Sequence, residues 1–256
     1  MAEFTHLHLH SQYSLLDGAI RLSDLFKTCK QYGMESVALT DHGNMYGMVD
    51  FYKKAKDAGV KPIFGCETYV SATTMEDKTE RKNYHLILLA KDQEGYKNLQ
   101  FLNSKAFLEG FYYHPRIDKQ LLKDHSKGLI GLSACLGGEV AQTLMREGYD
   151  KAKDKALEYK SLFEEDSFFL EVQPNGLDEQ EQVNDSWKKM ARETGLGLVA
   201  TGDCHYVKRD DWKAHNILMC IQQGKTLNDP GRLEHRTPSY YIQSPEEFNK
   251  KFHDIP

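Results

Sequence analysis

The sequence has no apolar run long enough to cross a membrane, and its first residues do not form a signal-peptide pattern. Its five cysteines are an odd number without close pairing, which indicates reduced thiols in a cytoplasmic protein rather than a disulfide framework. Positive charge is also scarce, with 33 Lys and Arg against 38 Asp and Glu and a formal net charge of −5. This charge argues against a broad nucleic-acid-binding surface. It leaves open local binding at metal ions, because each divalent cation adds two positive charges.

The order of apolar and amphipathic segments indicates an α/β fold. The chain of 256 residues is 40% hydrophobic, enough for one sizeable core. Candidate strands are Phe4–His10, Ser36–Thr40, Pro62–Val70, Tyr84–Ala90, Gly128–Ser133, Phe168–Val172 and Gly197–Thr201. Helical patterns cover Arg21–Tyr32, Tyr46–Ala58, Gln93–Gly110, Glu139–Glu147, Tyr149–Glu164, Leu177–Thr194 and Asp211–Gln223. This alternation predicts βα units and a parallel sheet, either closed into a barrel or open and doubly wound.

Three further segments complete the predicted organisation. Ser71–Lys82 is polar and charged, which is typical of an exposed loop, and Asp229–Tyr240 is a loop rich in turn residues. A capped helix beginning at Ser244 runs towards the end of the chain at Pro256. We therefore expect the sequence to be a fragment of a longer protein.

A row of histidines near the N-terminus is the strongest local signal. His6, His8 and His10 alternate with two leucines, so in a strand all three imidazoles would share one face. Neighbouring members would lie about 6 to 7 Å apart along the strand, close enough to share one ion. One structural and two surface histidines is the alternative. His6 lies furthest from the strand end and is left out of the predicted ligand set.

Metal-competent side chains recur where the other strands end, which is where parallel βα folds build their sites. The candidates are His8, His10, Asp17, His42, Glu67, His85, Cys135, Asp203 and His205. His85 differs in standing at the start of its strand. Nine ligands are too many for one tetrahedral ion and fit two or three ions such as Zn²⁺ or Mn²⁺, with a carboxylate free to bridge.

Each candidate also has a purely structural alternative. His42 could cap the next helix, Glu67 could be a surface residue of its strand, and Cys135 could be a small buried hydrophobe. Cys204 lies between two candidates and is predicted to face away as a structural residue. The remaining histidines have no comparable context and are predicted to be solvated: His114, His125, His215, His235 and His253.

These motifs resemble the PHP (polymerase and histidinol phosphatase) family, in particular its branch in bacterial replicative DNA polymerases. The resemblance rests on HLHLHSQYSLLDG at 6–18, ALTDHGNMYG at 38–47, YHLILLAK at 84–91, YYHPRID at 112–118, LSACLGGE at 132–139 and TGDCHY at 201–206. It covers essentially the whole chain. It implies a distorted (β/α)₇ barrel, with a core over about 1–223 and an extension over 224–256 leading towards a polymerase palm.

The resemblance also implies how the nine ligands would be shared. His8, His10, Glu67 and Asp203 would hold one ion and form the catalytic set. Glu67 would bridge to a second ion, held also by His85 and Cys135. A third ion would be held by Asp17, His42 and His205. Phosphatase relatives have histidine where this chain has Cys135, a departure that suits the polymerase branch. Zn²⁺ and Mn²⁺ are expected, with Mg²⁺ and iron as alternatives.

The function implied by the resemblance is phosphodiester hydrolysis, namely 3′→5′ exonuclease proofreading of a DNA 3′ end. Arg116 is a candidate phosphate clamp because a guanidinium matches a phosphate bidentately, although it could equally be an ordinary surface arginine. The implied partners are DNA, the remaining polymerase domains, a replicative exonuclease subunit and a sliding clamp. Two alternatives stay open. The domain could be an inert scaffold stabilised by metals, or a phosphatase acting on a small molecule such as histidinol phosphate.

Overall fold

The computed structural model describes residues 4–252 and has a mixed α/β architecture. Its strands are β1 (Ser36–Leu39), β2 (Lys61–Ser71), β3 (Asn83–Ala90), β4 (Arg116–Ile117), β5 (Leu129–Leu132), β6 (Phe168–Val172) and β7 (Gly197–Ala200). The helices are α1 (Leu22–Gln31), α2 (Met48–Ala58), α3 (Gln93–Leu108), α4 (Lys119–Asp124), α5 (Glu139–Glu147), α6 (Tyr149–Lys160), α7 (Asp178–Thr194), α8 (Trp212–Gln223) and α9 (Pro245–Asn249). Short β4 and α4 are elements that the sequence pattern did not predict.

The strands form one curled sheet in the order β1-β2-β3-β5-β6-β7. The short strand β4 lies off this path and pairs in parallel with the end of β2. The pairs β1–β2, β5–β6 and β6–β7 are parallel, as predicted. Strand β3 runs antiparallel to both of its neighbours, so the prediction of a wholly parallel sheet is wrong at this strand. The reversal has a functional consequence: the start of β3 lies at the edge where the parallel strands end.

The N-terminal segment closes the curled sheet into a distorted barrel. On one side, the amides of Ala38 and Thr40 donate to the carbonyls of His6 and Leu9. On the other, Leu9 pairs in parallel with Cys204, beyond the end of β7. Within 4–10, only Leu9 forms a bridge, and that bridge is isolated, so the predicted strand Phe4–His10 does not form as a regular strand. The predicted fold class, an α/β barrel of distorted (β/α)₇ type, is confirmed.

The helices bury the outside of the sheet. The largest apolar cluster contains Trp187 of α7 and Tyr159 of α6, both almost completely buried. A second cluster packs α1 and α2 against the closing segment through Leu25, Phe51 and Leu9. Burial of such side chains, each contributing roughly 1.5 to 3 kcal/mol, fixes the barrel and hence the strand ends that position the site.

The C-terminal part of the described chain packs back on the barrel. Tyr241 pairs with Tyr206, Ile242 is fully buried in the second cluster, and the Phe248 ring contacts that of Phe4. His253 and Pro256, named in the sequence predictions, lie outside the described residues. Across residues 4–252, no helix is both long and apolar enough to cross a membrane.

Candidate metal centre

The nine predicted ligands meet at the carboxyl-terminal edge of the barrel. The closing segment supplies His8 and His10, and the loops that follow it and β1 supply Asp17 and His42. Strand β2 is much longer than β1 and carries Glu67 beside His42, with which it forms an isolated bridge. Since β3 is antiparallel, its early residue His85 reaches the same edge. Loops after β5 and β7 supply Cys135, Asp203 and His205.

The first group consists of His8, His10, Glu67 and Asp203. The Nε2 atoms of His8 and His10 lie 3.1 Å apart. Oε2 of Glu67 is 3.3 and 3.0 Å from these two nitrogens, and Oδ1 of Asp203 is 3.1 and 3.3 Å from them. Two nitrogens and two carboxylate oxygens therefore face one common point. Both imidazoles are fully buried.

The second group shares Glu67 with the first. Its other oxygen, Oε1, lies 2.7 Å from Nδ1 of His85. The Cys135 Sγ is 3.9 Å from the same nitrogen. One carboxylate oxygen therefore faces each group, which is the arrangement of a bridging ligand.

The third group is formed by Asp17, His42 and His205. Oδ2 of Asp17 lies 3.0 Å from Nε2 of His42 and 3.1 Å from Nε2 of His205. The His10 ring packs between the other two imidazoles, 4.1 Å from that of His42 and 4.3 Å from that of His205. The three groups are thus contiguous, and they share residues: His10 lies close to both the first and the third group, and Nδ1 of His42 is 3.0 Å from Oε2 of Glu67.

Electrostatics keep the carboxylates of the cluster ionised. Burial alone would raise the pKa of Glu67, but His42, His85 and His8 outweigh it and hold this pKa well below its usual range. Burial would likewise lower the pKa of His8, yet the carboxylates of Asp203, Glu171 and Glu67 raise it well above its ordinary value. The cluster therefore concentrates negative charge that attracts protons or, in competition with them, cations.

The donor set fits divalent metal ions. Three buried atoms make no hydrogen bond although a charged partner lies 3.0 to 3.1 Å away: Oδ2 of Asp17, Nδ1 of His42 and Oδ1 of Asp203. Imidazole nitrogen, carboxylate oxygen and thiolate are the ligands of Zn²⁺ and similar ions. Asp203 also has a positive φ of 48°, as does Ala134 beside Cys135, at 62°. Strain of this kind is typical of functional sites.

Glu171 is a buried carboxylate behind the cluster that the sequence predictions left out. It is fully buried, and its Oε1 lies 2.7 Å from Nδ1 of His8. In the neutral ring that a metal ion requires, this contact places the proton of His8 on Nδ1 and leaves the Nε2 lone pair facing the first group, as in carboxylate–histidine–metal triads. Gln173 and Thr201 donate to the same oxygen. A charged residue within the apolar run of the sixth strand was the available signal.

Arg116 is not a phosphate clamp, and that prediction is wrong. Its side chain is completely buried. The guanidinium donates to the carbonyls of Gly110, Glu80, Met75 and Asp77. Arg116 therefore holds the polar loop between β2 and β3 against the end of α3.

Two histidines predicted to be solvated are also misassigned. His215 on α8 is 1% exposed, and its ring centroid lies 5.6 Å from that of His205. The turn-rich loop before Tyr240 brings His235 to 4.6 Å from the His205 ring and 4.7 Å from the His215 ring. Nothing in the local sequence places an α8 residue and a loop residue beside the strand ends.

The other residues outside the nine have structural roles or lie at the surface. His6 does not share a face with His8, because its Nε2 donates to the carbonyl of Gln243 and its Nδ1 lies 3.5 Å from the Cys204 thiol. Cys204 faces away from the cluster and packs in the second apolar cluster, as predicted. His114 is exposed, and half-buried His125 packs against Phe101.

A family model described as the PHP domain matches residues 6–175. The chain belongs to the PHP family.

Curated relatives come from the polymerase branch. DNA polymerase III subunit alpha of Helicobacter pylori is 51% identical over 99% of this chain, and that of Thermus aquaticus is 48% identical over 96% of it. The matched region is 22% and 21% of these relatives. The chain thus spans about a fifth of the length of the curated relatives it matches.

Solved structures show the same fold at low sequence identity. One is a protein of Bifidobacterium adolescentis provisionally classed as a metal-dependent phosphoesterase, with a TM-score of 0.52 at 12% identity over 98% of this chain and 97% of that one. Another is an amidohydrolase of Chromobacterium violaceum, with a TM-score of 0.51 at 16% identity over 80% of this chain and 88% of that one.

Proposed function

We propose that this chain is the PHP domain of a bacterial replicative DNA polymerase and hydrolyses phosphodiester bonds at a DNA 3′ end, as a proofreading 3′→5′ exonuclease. One observation carries the proposal: nine metal-competent side chains converge in three contiguous groups, and three of their buried atoms make no hydrogen bond, namely Oδ2 of Asp17, Nδ1 of His42 and Oδ1 of Asp203. The relatives named DNA polymerase III subunit alpha support the choice of a nucleic acid over a small phosphomonoester.

Each residue of the cluster has a stated task in this proposal. His8, His10, Glu67 and Asp203 would hold the first ion, Glu67 with His85 and Cys135 the second, and Asp17, His42 and His205 the third. Zn²⁺ or Mn²⁺ bound there would activate a water near neutral pH and neutralise charge on the phosphate and the leaving 3′-oxygen. Glu171 positions His8 by fixing which ring nitrogen is free.

The exposure of the cluster gives the direction of substrate approach. Side-chain exposure is 26% for His85, 19% for His42 and 13% for Asp17, against none for His8 and His10. A phosphate would therefore enter across His42 and His85, with the first group as the floor of the site. A recessed floor favours a single-stranded or frayed end over a paired terminus.

The remaining polymerase domains would present the DNA. With a net charge of −5, this chain supplies little of the Lys and Arg that gives affinity for a polyanion. Covalent linkage to a DNA-bound polymerase would raise the local concentration of the 3′ end. We also propose a separate exonuclease subunit and a sliding clamp as partners of the whole polymerase.

A second candidate is an inert, metal-stabilised scaffold that braces the polymerase or docks the separate exonuclease subunit. The observation in its favour is the position of Arg116. The single cation predicted to hold a substrate phosphate is buried and donates to four backbone carbonyls.

The test is hydrolysis of 3′-labelled oligonucleotides with single-stranded, mismatched and paired ends at micromolar enzyme, with a phosphomonoester in parallel. We expect the single-stranded end to be cleaved fastest. Asp203→Asn should abolish cleavage, because the amide lacks the anionic charge, while Asn tolerates the left-handed backbone at this position. Asp185→Asn is the matched control, since it makes the same change at an exposed position of α7.

Three outcomes would contradict the proposal. Full activity in purified Asp203→Asn would mean that another site or a contaminant cleaves DNA. Absence of cleavage by metal-loaded protein would favour the scaffold. Faster hydrolysis of the phosphomonoester would favour a phosphatase.

A further inference from the structure

His215, His235 and Asp17 form a cluster that neither the nine-ligand set nor the proposed hydrolysis uses in full. One potential ligand atom from each of them lies within 4.8 Å of the others. Helix α8 supplies His215, and the loop before Tyr240 supplies His235. The Trp212 indole fixes that loop by donating to the His235 carbonyl at 2.7 Å, and the Tyr240 ring packs 4.0 Å from the His235 ring.

The hydrogen bonds of His215 determine which of its nitrogens carries the proton. Nε2 lies 2.6 Å from the backbone carbonyl of Asp17, an acceptor only, so Nε2 must be the N–H donor. In the neutral ring, Nδ1 then holds a lone pair. Metal-binding histidines most often have this arrangement, with one nitrogen donating to a carbonyl and the other on the metal.

The lone pair of His215 has no protein partner. Its Nδ1 is buried and makes no hydrogen bond, and the same holds for Nδ1 of His235. A buried unsatisfied polar atom costs roughly 1 to 3 kcal/mol. Both nitrogens belong to residues that have a ligand atom within 4.8 Å of an Asp17 carboxylate oxygen, and one cation bound by the three side chains would satisfy them.

We infer that His215, His235 and Asp17 form an additional divalent-cation site at the outer edge of the metal cluster. Two imidazoles and one carboxylate are a common ligand set for Zn²⁺ and for other borderline ions such as Mn²⁺ and Fe²⁺, with a further position left for water. Asp17 would be shared with the third group, so this ion would be an addition to the two or three expected from the nine ligands. The inference requires the cluster geometry but not the proposed hydrolysis.

The test is the metal content of the chain after loading with Zn²⁺ and removal of free metal, measured by elemental analysis. His235→Ala and His215→Ala should each hold one ion fewer per chain than wild type, whereas His125→Ala should hold the wild-type number. His235 is on a surface loop, so its variant keeps the inference testable if His215→Ala fails to fold. Anomalous diffraction at the zinc edge should show a peak between the three side chains.

Equal metal content in wild type and folded His235→Ala, or no anomalous peak among the three residues, would overturn the inference. The result is separable from the proposed function. Asp203→Asn disrupts the first group and should still show this peak, even if the chain hydrolyses nothing.

Discussion

The two ends of the barrel interior are built on the same strands but have opposite chemistry. The carboxyl-terminal end is filled with imidazoles and carboxylates. At the amino-terminal end, a cavity of about 870 Å³ is lined largely by apolar side chains, among them Leu7, Ile63, Leu132, Phe169 and Leu198. Two consecutive residues contribute to opposite ends, because Leu7 lines the apolar cavity and His8 belongs to the metal cluster.

The apolar end contributes to the stability of the barrel, whereas the polar end is suited to binding cations. Apolar side chains around a cavity stabilise the barrel by burial and need no partner outside the chain. The polar end has buried atoms without hydrogen bonds, such as Oδ1 of Asp203, which a cation would satisfy. The free energy of unfolding should therefore depend on bound metal at one end and on packing alone at the other.

Removal of metal should have the largest effect. When the free metal concentration is about 1,000 times the Kd, one bound ion stabilises the folded chain by roughly 4 kcal/mol. Two such ions contribute roughly 8 kcal/mol. Since 1 kcal/mol corresponds to about 2 to 4 °C in a chain of this size, a chelator should lower Tm by more than about 15 °C. Calorimetry with and without chelator measures this shift, and added Zn²⁺ should restore Tm. An unchanged Tm in verified holoprotein would remove the contrast between the two ends.

Substitution of Arg116, which lies outside both regions, should cause the next largest loss in the free energy of unfolding. Arg116→Met keeps much of the volume but leaves four carbonyls without their donor, and we expect a loss of about 3 to 5 kcal/mol. Urea unfolding measures the loss. Metal content should stay at the wild-type value, because no cluster residue contacts the guanidinium in the part of the chain described. Wild-type stability with weaker substrate binding would instead restore the phosphate-clamp prediction.

The sequence indicated where the strands end better than the direction in which each strand runs. Strand ends are recognisable from local patterns, so the nine side chains that meet at one edge could be named in advance. His85 stood at the wrong end of its strand only because a parallel sheet was assumed. The reversal of β3 depends on long-range pairing with β2 and β5, which local periodicity does not encode.

The missed residues share one property, which is that their surroundings come from distant segments. Glu171 appeared as one charge in an apolar strand, and its partner His8 is 163 positions away. His215 reaches the backbone of Asp17 across 198 positions. Arg116 lies in the segment YYHPRID, and nothing in this segment indicates that backbone carbonyls of preceding loops would surround its guanidinium.

Leu132→Ala tests the apolar end. Leu132 is 1% exposed and lines the cavity, so its truncation enlarges a space that already exists. We expect a loss of about 2 to 3 kcal/mol, towards the lower end for a buried leucine. Metal content and chelator sensitivity should not change, as measured by elemental analysis and calorimetry. A loss of bound metal in the folded variant would show that the two ends are coupled.

Glu171→Gln tests the polar end with the smallest expected change. The amide keeps the shape of the side chain, and its oxygen can still accept a hydrogen bond from Nδ1 of His8, so the folded structure should persist. It no longer provides the negative charge that makes the Nε2 lone pair of His8 a stronger ligand. Loss of such a supporting carboxylate typically weakens metal binding 10- to 100-fold, or about 1.4 to 2.7 kcal/mol. Competition with a metal-sensitive dye measures this affinity, and Leu132→Ala serves as the control at the opposite end of the barrel. If both variants bind metal as tightly as wild type, Glu171 is a packing residue. The metal affinity of the polar end then comes from the nine ligands alone, with no contribution from Glu171 through His8.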